Sequence, residues 1–277
     1  MTRIFADLRA LAHAAVARGG TRRVRRAFVP EPSPDPARDA EFGLLELDDG
    51  SAGLYYAWMG ASQAGMAARF PEGALAGCDA LEIIDGYTAG DDAACALALA
   101  ALNALTASVW RHACYTPPVA HSSFGMDLRA GDTLGMIGNF PSLVRQARAQ
   151  GVEVIVVERK AHMVVREPGL EITLDPAALG RCRRIVCTAA TLVNDSFDDM
   201  LSYCPPTAEI VVLGPTAGGF PEPFFARGVT TLGGTLVHDA GLAREQLAQG
   251  GRLTDCATRY TLSLRDYPGT RTLLARL

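Results

Sequence analysis

The stretch Thr133-Leu134-Gly135-Met136-Ile137-Gly138-Asn139-Phe140-Pro141 decides the fold. Its apolar run stops at a glycine and an asparagine. Pro141 follows where a helix begins, a position that tolerates the missing N–H. The same ending recurs in Cys187-Thr188-Ala189-Ala190-Thr191-Leu192-Val193-Asn194, in Leu213-Gly214-Pro215-Thr216 and in Leu232-Gly233-Gly234-Thr235. Each passes from an apolar run to small and hydroxylated residues, as strands buried on both faces do where an open α/β sheet meets its ligand crevice. Expected strands at Thr133–Ile137, Val152–Val157, Arg184–Cys187, Glu209–Leu213 and Val229–Leu232 are interleaved with helices at Pro141–Gln150, Asp195–Tyr203 and Pro223–Ala226, the alternation of βαβ units. Thr258–Leu264 reads as a last strand.

Upstream, Ile4–Ala17 has the apolar spacing of an amphipathic helix ended by Gly19-Gly20. Val24–Val29 reads as a strand, followed by the stiff loop of Pro30, Pro32, Pro34 and Pro36. Phe42–Leu47 and Ala52–Trp58 flank Asp48-Asp49-Gly50-Ser51, a hairpin signal. From Asp91-Asp92 to Trp110 the chain is nearly all helix formers, with aspartates at the positive end and Arg111 and His112 at the negative end. Apolar all round, this helix is predicted to be buried. Residues 114–130 are expected to link two domains.

With 277 residues the chain is long enough for a large core, and 49% hydrophobic against 20% charged residues excludes a disordered protein. Its 26 basic and 30 acidic residues give a net charge of −4, and no basic stripe interleaves with aromatics, so no nucleic-acid partner is expected. Arg22, Arg23, Arg25 and Arg26 form the one basic cluster and read as a solvated face. Seven scattered cysteines without a CxxC pair point to a reducing compartment, and charges among the first 19 residues exclude a signal peptide. No apolar stretch is expected to span a bilayer, so a cytoplasmic location without membrane contact is predicted. The apolar character is compatible with a homodimer.

Gly138 and Glu158 stand 20 residues apart, the interval at which a Rossmann acid meets a ribose hydroxyl. The glycine fingerprint is absent, because Phe140-Pro141 occupies the place where glycines admit pyrophosphate. An adenosine-containing nucleotide is therefore disfavoured. Thr188, Thr191 and Asn194 read either as an anion cradle or as plain turn chemistry. Asn103, the one amide inside the apolar helix, must find partners, in a neighbouring loop or in a ligand. Residues available to a metal are His112, Cys114, His121 and His238, and their spacing matches no zinc pattern. His162-Met163 is a soft pair that reads as loop. No nucleophile elbow, HExxH helix or phosphate-binding loop is present in the sequence.

At these residues the chain resembles the putative heavy-metal chelation family. The likeness lies in Thr133–Pro141, in the strand ending at Glu158, in Thr188–Asp198, in Leu213–Thr216 and in Gly228–Thr235, with thinner support from the Leu99–Leu105 helix segment. It implies a Rossmann-like domain at 121–277, preceded by a smaller α+β domain at 1–120 similar to the enolase N-terminal fold, with a pocket between them. Two departures stand out: Cys182-Arg183-Arg184 where an acidic residue is expected, and the proline-rich loop over residues 30–40.

The expectation is a protein that binds a small polar ligand or metal chelate in an interdomain crevice. Its ligand-binding candidates are Asn103, Gly138, Asn139, Phe140, Glu158, Thr188, Thr191, Asn194, Gly214, Pro215, Thr216, Gly234 and Thr235. The competing readings are an enzyme acting on a metallophore or its amino-acid-derived precursor with a nucleotide-type cosubstrate, Glu158 being its one catalytic candidate, and a scaffold with a vestigial cleft.

Overall fold

Eight strands make one sheet, in the order β11-β10-β9-β8-β4-β5-β7-β6, and three more make a separate antiparallel meander, β1-β2-β3. The computed structural model describes residues 3–30, 42–57, 62–121 and 125–277. The expected elements at 31–41 and at Trp58, including most of the proline-rich loop, lie outside the described residues.

The meander comprises β1 (Val24–Phe28), β2 (Phe42–Leu47) and β3 (Ala52–Tyr56). Gly50, at φ +82°, allows the β2–β3 turn, where its N–H donates to the Leu47 carbonyl. Packed with this sheet are α1 (Ile4–Gly19), α2 (Ser62–Arg69), α3 (Ala80–Asp85) and α4 (Asp92–His112). The basic cluster is a largely solvated face, with Arg23, Arg25 and Arg26 exposed, and all four arginines make contacts within the chain. Arg22 lies 3.6 Å from Asp49, Arg23 donates to the Gly77 carbonyl, and Arg25 and Arg26 both pair with Glu46.

α4 corrects one expectation. It is long and apolar enough to cross a bilayer by length and composition, yet 94% of its most apolar window is buried within the protein. Its closest approach is to β3 at Gly53. A Cβ there would stand 2.1 Å from the Ala100 carbonyl oxygen and 2.5 Å from the Ala104 nitrogen. Only glycine lets the helix backbone lie on the strand backbone.

The large sheet comprises β4 (Thr133–Ile137), β5 (Glu153–Val157), β6 (Val165–Glu167), β7 (Leu170–Thr173), β8 (Arg184–Thr188), β9 (Glu209–Leu213), β10 (Val229–Val237) and β11 (Ala257–Ser263). From β7 through β5, β4, β8 and β9 to β10 all neighbours are parallel; β6 and β11 add antiparallel edges. Counted along the chain, the six parallel strands run 3-2-1-4-5-6, the Rossmann order. Both faces are covered. Leu134, Met136, Val154, Val156, Val186 and Val211 pack with α5 (Pro141–Ala149), while Ile137, Ile155, Val157, Ile185, Cys187 and Val212 share the main core with α1 and α4. That is why these strands read as continuous apolar runs.

Several boundaries differ from expectation. β10 does not stop at Leu232 but continues through Gly233, Gly234 and Thr235, paired with Thr261, Tyr260 and Arg259 of β11. The helix expected at Asp195–Tyr203 is α7 (Phe197–Leu201), preceded by α6 (Ala190–Val193), and α8 is Glu222–Phe225. Unforeseen are α2, α3, the β6–β7 hairpin, α9 (Ala240–Ala248) and α10 (Thr270–Leu274). The expected linker carries sheet structure: the Ala120 N–H donates to the Arg259 carbonyl, and the Thr261 N–H to that of Pro118, along the outer side of β11. Arg184, the departure in the strand before Thr188, pairs with Asp132 and Glu209 at the sheet end opposite the crevice.

Candidate functional site

The chain runs from β4 to β5 and β7 on one side, then returns to place β8, β9 and β10 on the other. The crevice beyond the carboxyl ends of β4 and β8 is therefore the topological switch point, where open α/β sheets bind ligands. Gly138 follows β4 at φ +83°, and its N–H donates to the Val157 carbonyl at 2.9 Å. A Cβ on Gly138 would lie 2.7 Å from the γ-methyl of Thr188, so the ends of β4 and β8 are in van der Waals contact.

Glu158, at the end of β5, ties the bordering loops together. Its Oε1 accepts the Asn139 N–H and its Oε2 the Arg159 N–H, each at 2.9 Å. Its own N–H donates to the Thr173 carbonyl. Phe140 precedes α5 as a cap without a side-chain hydrogen bond, partly buried against the core on the α5 face. Gly138, Asn139, Glu158 and Thr188 thus stand together at the carboxyl ends of β4, β5 and β8, while Phe140 packs on the α5 face.

The remaining candidates are placed differently. The Thr191 hydroxyl donates to the Thr188 carbonyl at 2.7 Å and is buried, while the Thr188 hydroxyl accepts the Ala190 N–H. Asn194 Oδ1 accepts from the Ser196 N–H and hydroxyl. These groups serve the turn between β8 and α7, where Asp195 sits at φ +53° and the Tyr87 hydroxyl lies 3.2 Å from the Leu192 carbonyl. Gly214, at φ +137°, carries the chain out of β9 to Pro215. Thr216 then turns to the meander: its hydroxyl accepts the Tyr56 N–H, and its carbonyl accepts Asn103 Nδ2 at 2.9 Å.

The same Asn103 amide donates to the Leu54 carbonyl at 2.9 Å. Asn103 is therefore a buried strut between α4, β3 and the β9 loop, with its amide bonded as the first of its two expected readings has it. Its Oδ1 is buried without a partner. Gly234 and Thr235 lie inside β10, which runs on past β9: Gly233 pairs with Leu213, the last residue of β9, so Gly234 stands level with the end of its neighbour and not at the end of its own strand. The absent Cβ of Gly234 makes room for the Tyr260 hydroxyl, 2.4 Å from where that atom would stand.

Asp92, read in the sequence only as a helix-end charge, opens α4. Its carboxyl is pushed up by burial, against the opposing pull of the Arg159 guanidinium. Arg159 adjoins Glu158 in the sequence, but its pull on Asp92 leaves no local signal.

The metal candidates do not converge. His112 Nε2 lies 3.1 Å from Asp49 Oδ2, an aspartate that also accepts the Ser108 hydroxyl at 2.6 Å. Cys114, His121, His162 and His238 are exposed. Among the described residues no three His, Cys, Asp or Glu side chains are grouped to hold a metal ion. Burial pushes the thiols of Cys95 and Cys182 up to about 11, and those of Cys187 and Cys204 up to about 12.

Similarity to known proteins follows the same lines. No curated protein matches the sequence. The crystal structure of a protein from Pyrococcus horikoshii described as having unknown function matches at 20% identity, with a TM-score of 0.64 over 94% of this chain and 100% of that one. A second, from Desulfitobacterium hafniense DCB-2, matches at 17% identity and a TM-score of 0.59 over 94% and 99%. At these identities the likeness shows the fold, and both structures are assigned to the DUF364 family. The model of that family, described as "Putative heavy-metal chelation", matches residues 121–264 of this sequence, so the chain belongs to the DUF364 family.

Proposed function

We propose that this protein binds a small polar ligand, in particular a metal chelate, between residues 1–120 and the Rossmann-like sheet of residues 121–277. The cytoplasm is the proposed location. The observation that carries this reading is the switch point itself. Glu158, the Asn139 backbone and the Thr188 strand end come together there. The described side chains offer no metal cage. The metal is accordingly cargo, carried by its own chelator, and the protein recognises the chelator's polar atoms through main-chain groups and the Glu158 carboxylate.

The test is elemental analysis and native mass spectrometry of the purified chain, followed by thermal shift with iron(III) citrate and nickel(II) histidine. A co-purifying metal species and a stabilisation that Glu158→Ala abolishes are expected. Metal-free protein with no shift for either complex would refute the reading. Unchanged binding by Glu158→Ala would remove that carboxylate from it.

A further inference from the structure

We propose that the open edge of the large sheet, strand β6, is a docking site for an extended acidic segment of another protein, which adds to the sheet as a further strand. This surface is independent of whatever ligand the switch point takes.

The two edges of the sheet differ. Along β11 the outer side is taken by Pro118 and Ala120, which bond to Thr261 and Arg259. Along β6, among the described residues, no segment pairs with the outer side. The turn Pro168-Gly169 joins β6 to β7, with Glu167 opposite Leu170, Arg166 opposite Glu171 and Val165 opposite Ile172. In a hairpin with a two-residue turn the pair flanking the turn exchanges hydrogen bonds. Alternation then directs the N–H and C=O of the next residue away from the partner strand. Arg166 is that residue, so its N–H and C=O face the open edge. A strand laid against them accepts one hydrogen bond and donates another, the main-chain recognition of strand addition.

Side chains decide what kind of strand fits. Val164 is 51% exposed, Val165 37% and Leu174 47%, three of the seven large apolar side chains exposed among the described residues. Successive side chains alternate between faces, so Val165 shares the α5 face with Ile172, and Arg166 the opposite face with Glu171. Between Glu158 and Glu167 the chain carries Arg159, Lys160, His162 and Arg166, all exposed, and no acid, in a protein of net charge −4. The acids beside Arg166 are engaged elsewhere, Glu167 with Arg148 and Glu171 with Arg181. An acidic residue opposite Arg166, flanked by apolar residues that fall beside Val165 on the other face, answers both features. A second copy does not, because pairing two β6 edges sets two basic segments against each other. A short edge strand with a basic residue is protected against such self-pairing. The same arginine attracts an acidic strand.

The experiment is fluorescence polarisation of the full chain with three labelled eight-residue peptides. One alternates glutamate and valine, one alternates lysine and valine, and the third is the glutamate peptide N-methylated at each glutamate. The glutamate peptide is expected to bind and the lysine peptide to show no binding. The N-methylated peptide should bind about tenfold more weakly, the scale of one or two lost backbone hydrogen bonds. Arg166→Glu should reverse the preference between the glutamate and lysine peptides while the circular dichroism spectrum stays unchanged. The wild-type comparison decides the matter even if that variant fails to fold. No binding of the glutamate peptide, or equally tight binding of the lysine or N-methylated peptide, would overturn the inference. Tighter binding of phosphatidylserine vesicles or oligothymidylate than of the glutamate peptide would also overturn it, assigning the basic surface to a membrane or a nucleic acid. A concentration-dependent dimer in sedimentation that Arg166→Glu dissolves would assign the edge to a second copy instead.

Discussion

Gly53→Ala adds one methyl group at the point where β3 meets α4. That carbon would stand 2.1 Å from the Ala100 carbonyl oxygen, 2.5 Å from the Ala104 nitrogen and 2.9 Å from the Asn103 Cβ. Two of these atoms are backbone, inside a buried helix of 21 residues, so no side-chain rotation relieves the clash. The helix must move away from the strand. Overpacking of this kind costs about 1–3 kcal/mol. Moving α4 also pulls Asn103 Nδ2 from the carbonyls of Leu54 and Thr216, and buried groups left unpaired cost about 1–3 kcal/mol more. The expected loss is about 2–6 kcal/mol, a large part of the roughly 5–15 kcal/mol typical of a folded domain. Urea denaturation followed by circular dichroism reads it as a lower midpoint. Gly65→Ala is the matched control, because a Cβ at that position in α2 meets nothing within 4 Å and alanine favours a helix by about 1 kcal/mol. Opposite signs are expected for the same chemical change. A Gly53→Ala midpoint equal to wild type would refute the backbone contact between α4 and β3.

Two further outcomes follow from buried polar groups. Burial pushes the Asp49 carboxyl up, but hydrogen bonds from Ser108, Ser51 and His112 outweigh it and hold the group below its ordinary 3.8. A depressed folded pKa gives stabilisation that is complete above about pH 4 and lost as pH falls through the folded value. Asp49→Asn should therefore be less stable than wild type at pH 6, with the gap narrowing towards pH 2 in urea titrations; a constant gap would show that the charge is not what stabilises. The Tyr260 hydroxyl is buried without a hydrogen-bond partner, whereas that of Tyr267 lies 2.8 Å from the Thr270 hydroxyl. Thermal unfolding should find Tyr260→Phe neutral or stabilising and Tyr267→Phe destabilised by about 1 kcal/mol; equal losses would contradict the assignment.

The strands of the large sheet were legible because burial on both faces leaves unbroken apolar runs, as in Glu209–Leu213, found within its expected bounds. The β6–β7 hairpin was not, because β6 has three exposed residues and so neither alternation nor an apolar run. Gly233-Gly234 imitated a strand end for a different reason. Glycine also marks close approach within a strand, and a Cβ at Gly233 would meet the Leu213 side chain at 2.5 Å. At the site, spacing alone pointed to Glu158. Its partners are backbone N–H groups, which leave no trace in residue type. The carbonyls that hold Asn103 are equally silent, so sequence could not choose between strut and ligand donor.

That choice has a consequence for the crevice. The mid-section of α4 is fixed by backbone contact at Gly53 and by close approach at Gly218, where a Cβ would stand 3.1 Å from the Asn103 side chain. Asn103 joins both contacts, since its amide spans the carbonyls of Leu54 and Thr216. Under the proposed function Asn103 bears on the ligand only by fixing α4 against β3 and the β9 loop. Asn103→Ala should cost about 1–3 kcal/mol of stability by leaving two carbonyls unpaired. Ligand affinity per folded molecule should stay near wild type, because no ligand contact is removed. Titration below the unfolding transition, paired with urea melts of the same samples, separates the two effects. A large loss of affinity at full folding would return Asn103 to the ligand and show that the strut is not its main role.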